Sequence, residues 1–273
     1  MELYCSTGVF LGRMNGGNYH LLTEYGHRLH CDGFEYMMFP MWYGKEAEMV
    51  RELVGSGLRF PVFHADKSVG DDISSLPDDA FSACVDKWQR NLETAAGLGA
   101  GKVVTHIWGI PDSDKYAARL YERVLRLREI AAGYGLDMLG ENCCCTERSP
   151  LPHFRELQRM EPGLGFTIDT RPAQFHQELE DLCAEDALWQ GAVRHLHLSD
   201  YHGGLKDWKA LYPIPAPGRG DVDYPRFFAH LKKVQYQGSA SLESPCMNPD
   251  RLDWETINTY LDYLREGLGE LLG

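Results

Sequence analysis

The sequence predicts an α/β protein, a single (β/α)8 TIM barrel over residues 1–273, and three observations carry that prediction. Eight short β-branched or aromatic runs punctuate the chain. Several of the gaps between them have helical periodicity, and no GxGxxG follows the first run, as a doubly wound dinucleotide fold would require. Strands alternating with helices of this length pair in parallel through right-handed crossovers. Eight such units in 273 residues fit one barrel, with an open doubly wound sheet as the alternative.

In chain order the strand candidates are ELYCSTGVF, GFEYMMF, FPVFHAD, KVVTHIW, DMLGENC, GFTIDT, VRHLHLSD and SASLESP. The plainest helix is KYAARLYERVLRLREIAAGYG, where Ala118, Leu125 and Ala132 recur and Gly135 closes the helix before the next strand. KEAEMVRELVGSGL precedes the third strand, FSACVDKWQRNLETAAGLGA the fourth and YPRFFAHLKKVQYQ the eighth, while DWETINTYLDYLREGLGELL finishes the sequence. The segment after strand one, NGGNYHLLTEYGHRL, is short and broken by glycine, and is the weakest helix.

Composition narrows the function. Hydrophobic residues make up 44% and charged residues 25%, enough for a sizeable core. No run approaches 18 apolar residues, so no membrane span is expected. MELYCSTGVFLGR lacks a basic leader with an apolar run, which points to a cytoplasmic protein. A net charge of −13 with no Lys/Arg cluster argues against a nucleic-acid partner. The eight cysteines include the run Cys143-Cys144-Cys145 and no CxxC pair, so they read as reduced thiols packing as small hydrophobes.

In barrels of this kind the site lies at the C-terminal ends of the strands. The polar residues ending each run are Glu35, His64, His106, Glu141, Asp169, His197 and Glu243. Taken singly, Glu141 suits an ion pair or helix cap, Asp169 a helix N-cap and Glu243 a surface turn. Together they fall on strands five to eight in succession. Charges converging unpaired on one face would cost several kcal/mol each, and a divalent cation resolves that cost. Carboxylates with an imidazole suit Mn²⁺, Mg²⁺, Co²⁺ or Zn²⁺.

The set LGEN, IDT, RHLHLSD and SLES, with VFHAD and VVTHIWG upstream and PGRGDVDY downstream, resembles the xylose isomerase-like TIM barrel superfamily. That group includes ketose 3-epimerases, hydroxypyruvate isomerases, inosose dehydratases and zinc apurinic endonucleases. The resemblance runs strand by strand over essentially the whole chain. It implies one divalent ion held by Glu141, Asp169, His197 and Glu243, with His64 and His106 in the sugar pocket. His195 and His197 share strand parity, so an unbulged strand points both the same way. The precedent for His197 as ligand then implies that His195 lies deeper, beneath the ion.

Departures from the family pattern are informative. Pro172 stands where the endonucleases and the ketose epimerases carry a histidine, and DWKALYPIPAPGRGDVDY has no histidine. A three-zinc cluster therefore lacks ligands. Gly203 stands where the epimerases hold an arginine, a role that Arg171 or Arg219 would have to take.

The chemistry implied is isomerisation or epimerisation of a small sugar or polyol. A divalent ion acidifies the proton α to a carbonyl and stabilises the enediolate, while Glu141 and Glu243 remove and return that proton. His64, His106 and Arg171 would hold the substrate, and Trp108, Trp42 and Phe39 would wall it. A homo-oligomer is compatible with this reading. The rivals are dehydration of a cyclic polyol, endonuclease-like phosphodiester hydrolysis and a sugar-binding barrel without turnover. A phosphate on the sugar would need nearby cations, for which Lys67, Arg171, Lys206 and Arg219 are the candidates.

Overall fold

The computed structural model describes residues 1–248 and 251–272. Eight parallel strands pair in sequence order and close on themselves as a (β/α)8 barrel. They are β1 (Glu2–Ser6), β2 (Phe34–Met37), β3 (Val62–His64), β4 (Lys102–His106), β5 (Asp137–Glu141), β6 (Gly165–Asp169), β7 (Val193–Leu198) and β8 (Ser239–Leu242). Closure is made by β1 against β8, with Tyr4 level with Ser241 and His197 level with Ser241 from the other side. The strands are shorter than the apolar runs of the sequence, but Glu35, His64, His106, Glu141, Asp169 and His197 all lie within them, and only Glu243 falls just past its strand.

Alternation sorts the strand residues onto two faces. Leu3, Cys5, Tyr36, Phe63, Val103, Phe166, Leu196 and Leu242 pack outward against the helices as one continuous core. The opposite face fills the barrel. Tyr4, Val62, Val104 and Leu139 form a small separate apolar floor there. Above and beside that floor the interior is polar, which is unusual for a packed barrel and defines where the site can be.

The helical layer follows the periodicity. The helix Phe81–Gly97 buries Phe81, Cys84, Trp88 and Leu92, and the Trp88 indole donates to Leu127 O at 2.9 Å in the helix Ala117–Gly133. Gly135 adopts φ +72 just past that second helix, a conformation glycine takes without steric cost. After β1 only six residues, His20–Tyr25, are α-helical. After β3 a helix absent from the periodic segments of the sequence, Ser68–Ser75, precedes the long one.

Two of the irregular connections border the site. The β6–β7 connection breaks into Thr170–Phe175, Leu179–Ala184 and Asp186–Trp189. The β7–β8 connection crosses residues 203–222 with a single 3-10 turn, Trp208–Leu211, before the helix Tyr224–Lys233. Asp200 fastens that long loop by accepting from the backbone N–H groups of Gly218, Arg219, Gly220 and Val222 at 2.9–3.1 Å. Gly220 is needed for this approach, since a Cβ there would meet Asp200 Oδ1 at 2.3 Å.

Candidate metal centre and active site

The four residues at the ends of β5 to β8 come together. Ligand atoms of Glu141, Asp169, His197 and Glu243 all lie within 4.8 Å of one another, and all four residues are buried. Glu243 follows β8 directly, and its backbone N–H donates to Leu198 O at 3.1 Å, which extends the strand pairing by one residue.

Each member is aimed by its neighbours. Asp169 accepts on Oδ1 from Ser199 Oγ at 2.7 Å and from the Arg171 backbone N–H at 2.9 Å, so its second oxygen is left uncommitted. It therefore caps the helix Thr170–Phe175 and joins the cluster at once. Asn142 clamps its backbone, accepting from Asp169 N–H at 2.5 Å and donating to Asp169 O at 2.9 Å. Glu141 faces His64 Nε2 at 3.1 Å and His106 Nε2 at 3.2 Å with one oxygen, and His197 Nδ1 at 3.0 Å with the other.

Beneath this set a chain of donors runs through the barrel. Lys102 Nζ donates to Ser239 Oγ at 3.1 Å, and Ser239 Oγ lies 2.8 Å from His195 Nδ1. His195 Nε2 in turn reaches Glu35 Oε2 at 2.9 Å, and Glu35 accepts from His197 Nε2 at 3.0 Å. Contacts from β2 to β7 are possible only across the barrel interior. His195 thus lies one carboxylate away from His197. Burial holds its ring neutral, down to about 4 despite Glu35 beside it.

The electrostatics show an excess of negative charge. Burial works against ionisation of Glu141, yet His106 and His197 hold its carboxyl well below the usual range. Burial also opposes ionisation of Glu243, but His197 and Lys67 bring it down to about 2. Burial disfavours a charged His197, and the carboxylates of Glu35, Glu243 and Glu141 outweigh it and push the ring well up. Asp169 goes the other way, raised to about 6 by burial and by the charge of Glu243. One imidazolium therefore does not neutralise the set. The donor types fit a divalent cation, which would take the place of the proton on His197 Nδ1 while Glu35 keeps the Nε2–H.

A cavity of about 340 Å³ opens beside these residues. Of the residues the sequence proposes for substrate, His106, Trp108 and Arg171 line it. His64 does not. It sits fully buried behind Glu141, with Nδ1 donating to Ala65 O at 2.7 Å. Trp42 and Phe39 are not walls of the cavity either: Trp42 is buried in a cluster with Tyr36 and Phe39, its indole donating to Gly17 O at 2.9 Å. The apolar walls come instead from Trp108, Ile110, Trp208 and Tyr212, the last three well exposed at the mouth. Three of these sit in loops where no periodicity marks them.

Pro172 lines the cavity at the position of the missing histidine, and Arg171 beside it does too, whereas Arg219 does not. Cys143 and Cys144 also form part of the wall, so the cysteine run is more than core filling. All eight cysteines are free thiols. Glu35 stands among the strand-end residues in the sequence, but nothing there assigns it to His197. No helix among the described residues is long and apolar enough to cross a membrane.

Comparison with known proteins agrees with this fold. A curated ketose 3-epimerase of Arthrobacter globiformis is 26% identical over 188 residues, 63% of this chain and 59% of that protein's length. The D-allulose 3-epimerase of a Methylomonas species superposes with a TM-score of 0.71 at 18% identity, each chain covered to 98%. The IolI protein, solved with a bound zinc atom, gives 0.70 at 13% identity, covering 100% of this chain and 98% of that one. At those identities the two structures speak for the fold. The family model of the xylose isomerase-like TIM barrel matches residues 24–266. The chain belongs to the xylose isomerase-like TIM barrel family.

Proposed function

We propose that the protein is a divalent-metal-dependent sugar or polyol isomerase or epimerase. The observation that carries this reading is the excess negative charge of a buried set of three carboxylates and one imidazole, opening onto a cavity of about 340 Å³. Likeness to a ketose 3-epimerase over 63% of the chain supports the choice of sugar chemistry.

Glu141, Asp169, His197 and Glu243 would hold the ion, which when bound acidifies the proton α to a sugar carbonyl and stabilises the charge that develops on oxygen. The protein's own groups do the rest. Glu141 on β5 and Glu243 after β8 flank His197 Nδ1, at 3.0 and 3.2 Å, and serve as proton acceptor and donor on the two sides of the reacting carbon. Glu35 fixes the His197 ring through Nε2. His106 and Arg171 meet the sugar's polar edge and Trp108 its C–H face, while Trp208 and Tyr212 limit access of water. His64 acts through Glu141 rather than on the sugar.

The deciding experiment is metal analysis of the purified protein together with proton exchange from D₂O into a panel of ketoses and polyols. One divalent ion per chain and exchange at one carbon of a ketose are expected. A dehydratase would lose water instead, and an absence of exchange across the panel with metal present would leave a sugar-binding barrel.

A further inference from the structure

Four cations stand near enough in sequence to the strand ends to meet a charged substituent on a sugar, and the fold separates them. Lys206 is committed elsewhere, its Nζ donating to Thr146 O at 3.2 Å and Arg148 O at 2.9 Å. Arg219 is exposed, and its backbone is held by Asp200 away from the cavity wall. Lys67 and Arg171 line the cavity, one after β3 and the other after β6.

Arg171 is the more telling of the two. Asp169 lies two residues away, yet it accepts from the Arg171 backbone N–H and not from the guanidinium. Among the described residues the Arg171 side chain makes no ion pair or hydrogen bond, and its Nε is buried without a partner. Its guanidinium carbon stands 5.9 Å from the centre of the Tyr212 ring, and Asp169 and Glu243 act on it only through their charge. A fork of donors on a cavity wall, stacked on an aromatic ring and unmatched by protein acceptors, is the arrangement that recognises a planar or tetrahedral anion. Lys67 is half committed. Its Nζ stands 3.5 Å from Glu243 Oε1, at the outer limit for a hydrogen bond, and its side chain is 44% exposed.

Elsewhere on the wall Ile110, Trp208 and Tyr212 are apolar or aromatic, and Asp71 is an exposed carboxylate on the same lining. In a protein of net charge −13, two cations facing the same cavity run against the general balance.

We infer that Arg171 and Lys67 hold an anionic substituent of the sugar, a carboxylate or a phosphate, so that the substrate is an acidic sugar and not a neutral ketose. The inference rests on the sugar isomerase reading for the word sugar, and on the two cations for the word acidic. Arg171 carries the larger share, because it has no carboxylate partner to give up.

The test compares ligands of one skeleton and different charge on the manganese-supplied protein. Calorimetry reads the binding of mannitol, mannonate and mannitol 1-phosphate, and D₂O exchange is followed on fructose, fructuronate and fructose 6-phosphate. The anionic member should bind roughly 10- to 100-fold more tightly than the polyol, the factor a charge-assisted hydrogen bond supplies. Arg171→Gln should remove most of that preference, Lys67→Gln a smaller part, and Arg171→Lys should restore some of it. Preference for mannonate identifies the carboxylate and preference for mannitol 1-phosphate the phosphate. Equal binding of neutral and anionic ligands overturns the inference. So does a preference that survives both Gln variants, which would place the anion on the metal. The two readings fail separately: no exchange from any sugar with the charge preference intact defeats the isomerase, and exchange from fructose without a charge preference defeats the acidic substrate.

Discussion

Two buried acid–imidazole clusters in this barrel use the same residue types to opposite ends. One is the set around His197. The other joins Asp114, His153 and Tyr121 outside the barrel, with Cys145 beside it, and its ligand-type atoms are gathered as tightly as those of the first. Asp114 accepts from the backbone N–H groups of Thr146, Glu147 and Arg148 at 2.7–2.9 Å and faces His153 Nε2 at 3.1 Å. His153 Nδ1 meets the Tyr121 hydroxyl at 2.8 Å. Burial opposes its charge, but His153 and those backbone donors hold the Asp114 carboxyl well below its usual range. Every acceptor there has its donor. Around His197 three carboxylates outnumber the protons available, and Asp169 is left raised to about 6. Complete satisfaction marks a staple, and a surplus of carboxylates marks a site that wants a ligand.

The sharpest way to break this comparison is metal binding. Asp169→Ala and His197→Ala should each abolish the bound divalent ion, since no neighbouring group can supply the missing donor. Asp114→Ala should leave metal content unchanged and cost about 2–4 kcal/mol of stability by stranding buried donors. Metal loss in the Asp114 variant, measured by elemental analysis of folded protein, would put the ion in the wrong cluster.

Turnover comes next. Glu141→Gln and Glu243→Gln keep an oxygen ligand but remove the proton acceptor, so turnover should fall by roughly 10²–10⁴-fold while weakened metal binding persists. Each variant of an epimerase should still exchange one epimer's α-proton slowly, with opposite epimers surviving in the two. If only one substitution abolishes exchange, the chemistry is dehydration.

A smaller effect appears in the metal-free protein. The folded-state value of Asp169 is raised from 3.8 to about 6. The stability tied to it is therefore full below pH 3.8 and lost as the pH rises through about 6. Asp169→Asn should then stabilise the metal-free protein by about 1–3 kcal/mol at pH 7 to 8 and by little at pH 4. Denaturation curves of the two proteins that differ equally at both pH values would show that Asp169 carries no surplus charge.

The finest distinction lies between residues that touch the site and those that aim it. Glu35→Gln should lower metal affinity by roughly 10- to 100-fold, the usual worth of a carboxylate orienting a ligand imidazole. His195→Ala, one step further away, should retain full metal content and lose only stability. Equal metal loss in His195→Ala and His197→Ala would make His195 a direct ligand.

Much of this was readable without coordinates, because periodicity is local. Alternating strand runs and the amphipathic helix ending at Gly135 depend on neighbours within a few residues, and their order in the chain decides a barrel. The strand-end residues Glu141, Asp169, His197 and Glu243 were visible for the same reason, since a polar group closing a buried run has nowhere to go but the barrel mouth. Even the parity of His195 and His197 follows from strand geometry alone.

What the sequence could not decide are relations between residues far apart in it. Glu35 and His197 are separated by 162 positions, and only barrel closure puts them 3.0 Å apart. Trp42 reads like Trp108 in sequence, but one turns into the core behind β2 and the other onto the cavity. Four cations near the strand ends look alike until the loops settle, when two are tied up or turned away and two face the cavity. Loop residues such as Trp208 and Tyr212 follow no period, and their partners lie far off in the chain, Phe175 beside Trp208 and Arg171 beside Tyr212. The sequence by itself determined the barrel and the identity of its polar rim, because both are written in short-range alternation. Only the tertiary structure decided which polar groups are satisfied and which are left wanting a ligand, because satisfaction depends on partners that the chain brings together across the whole fold.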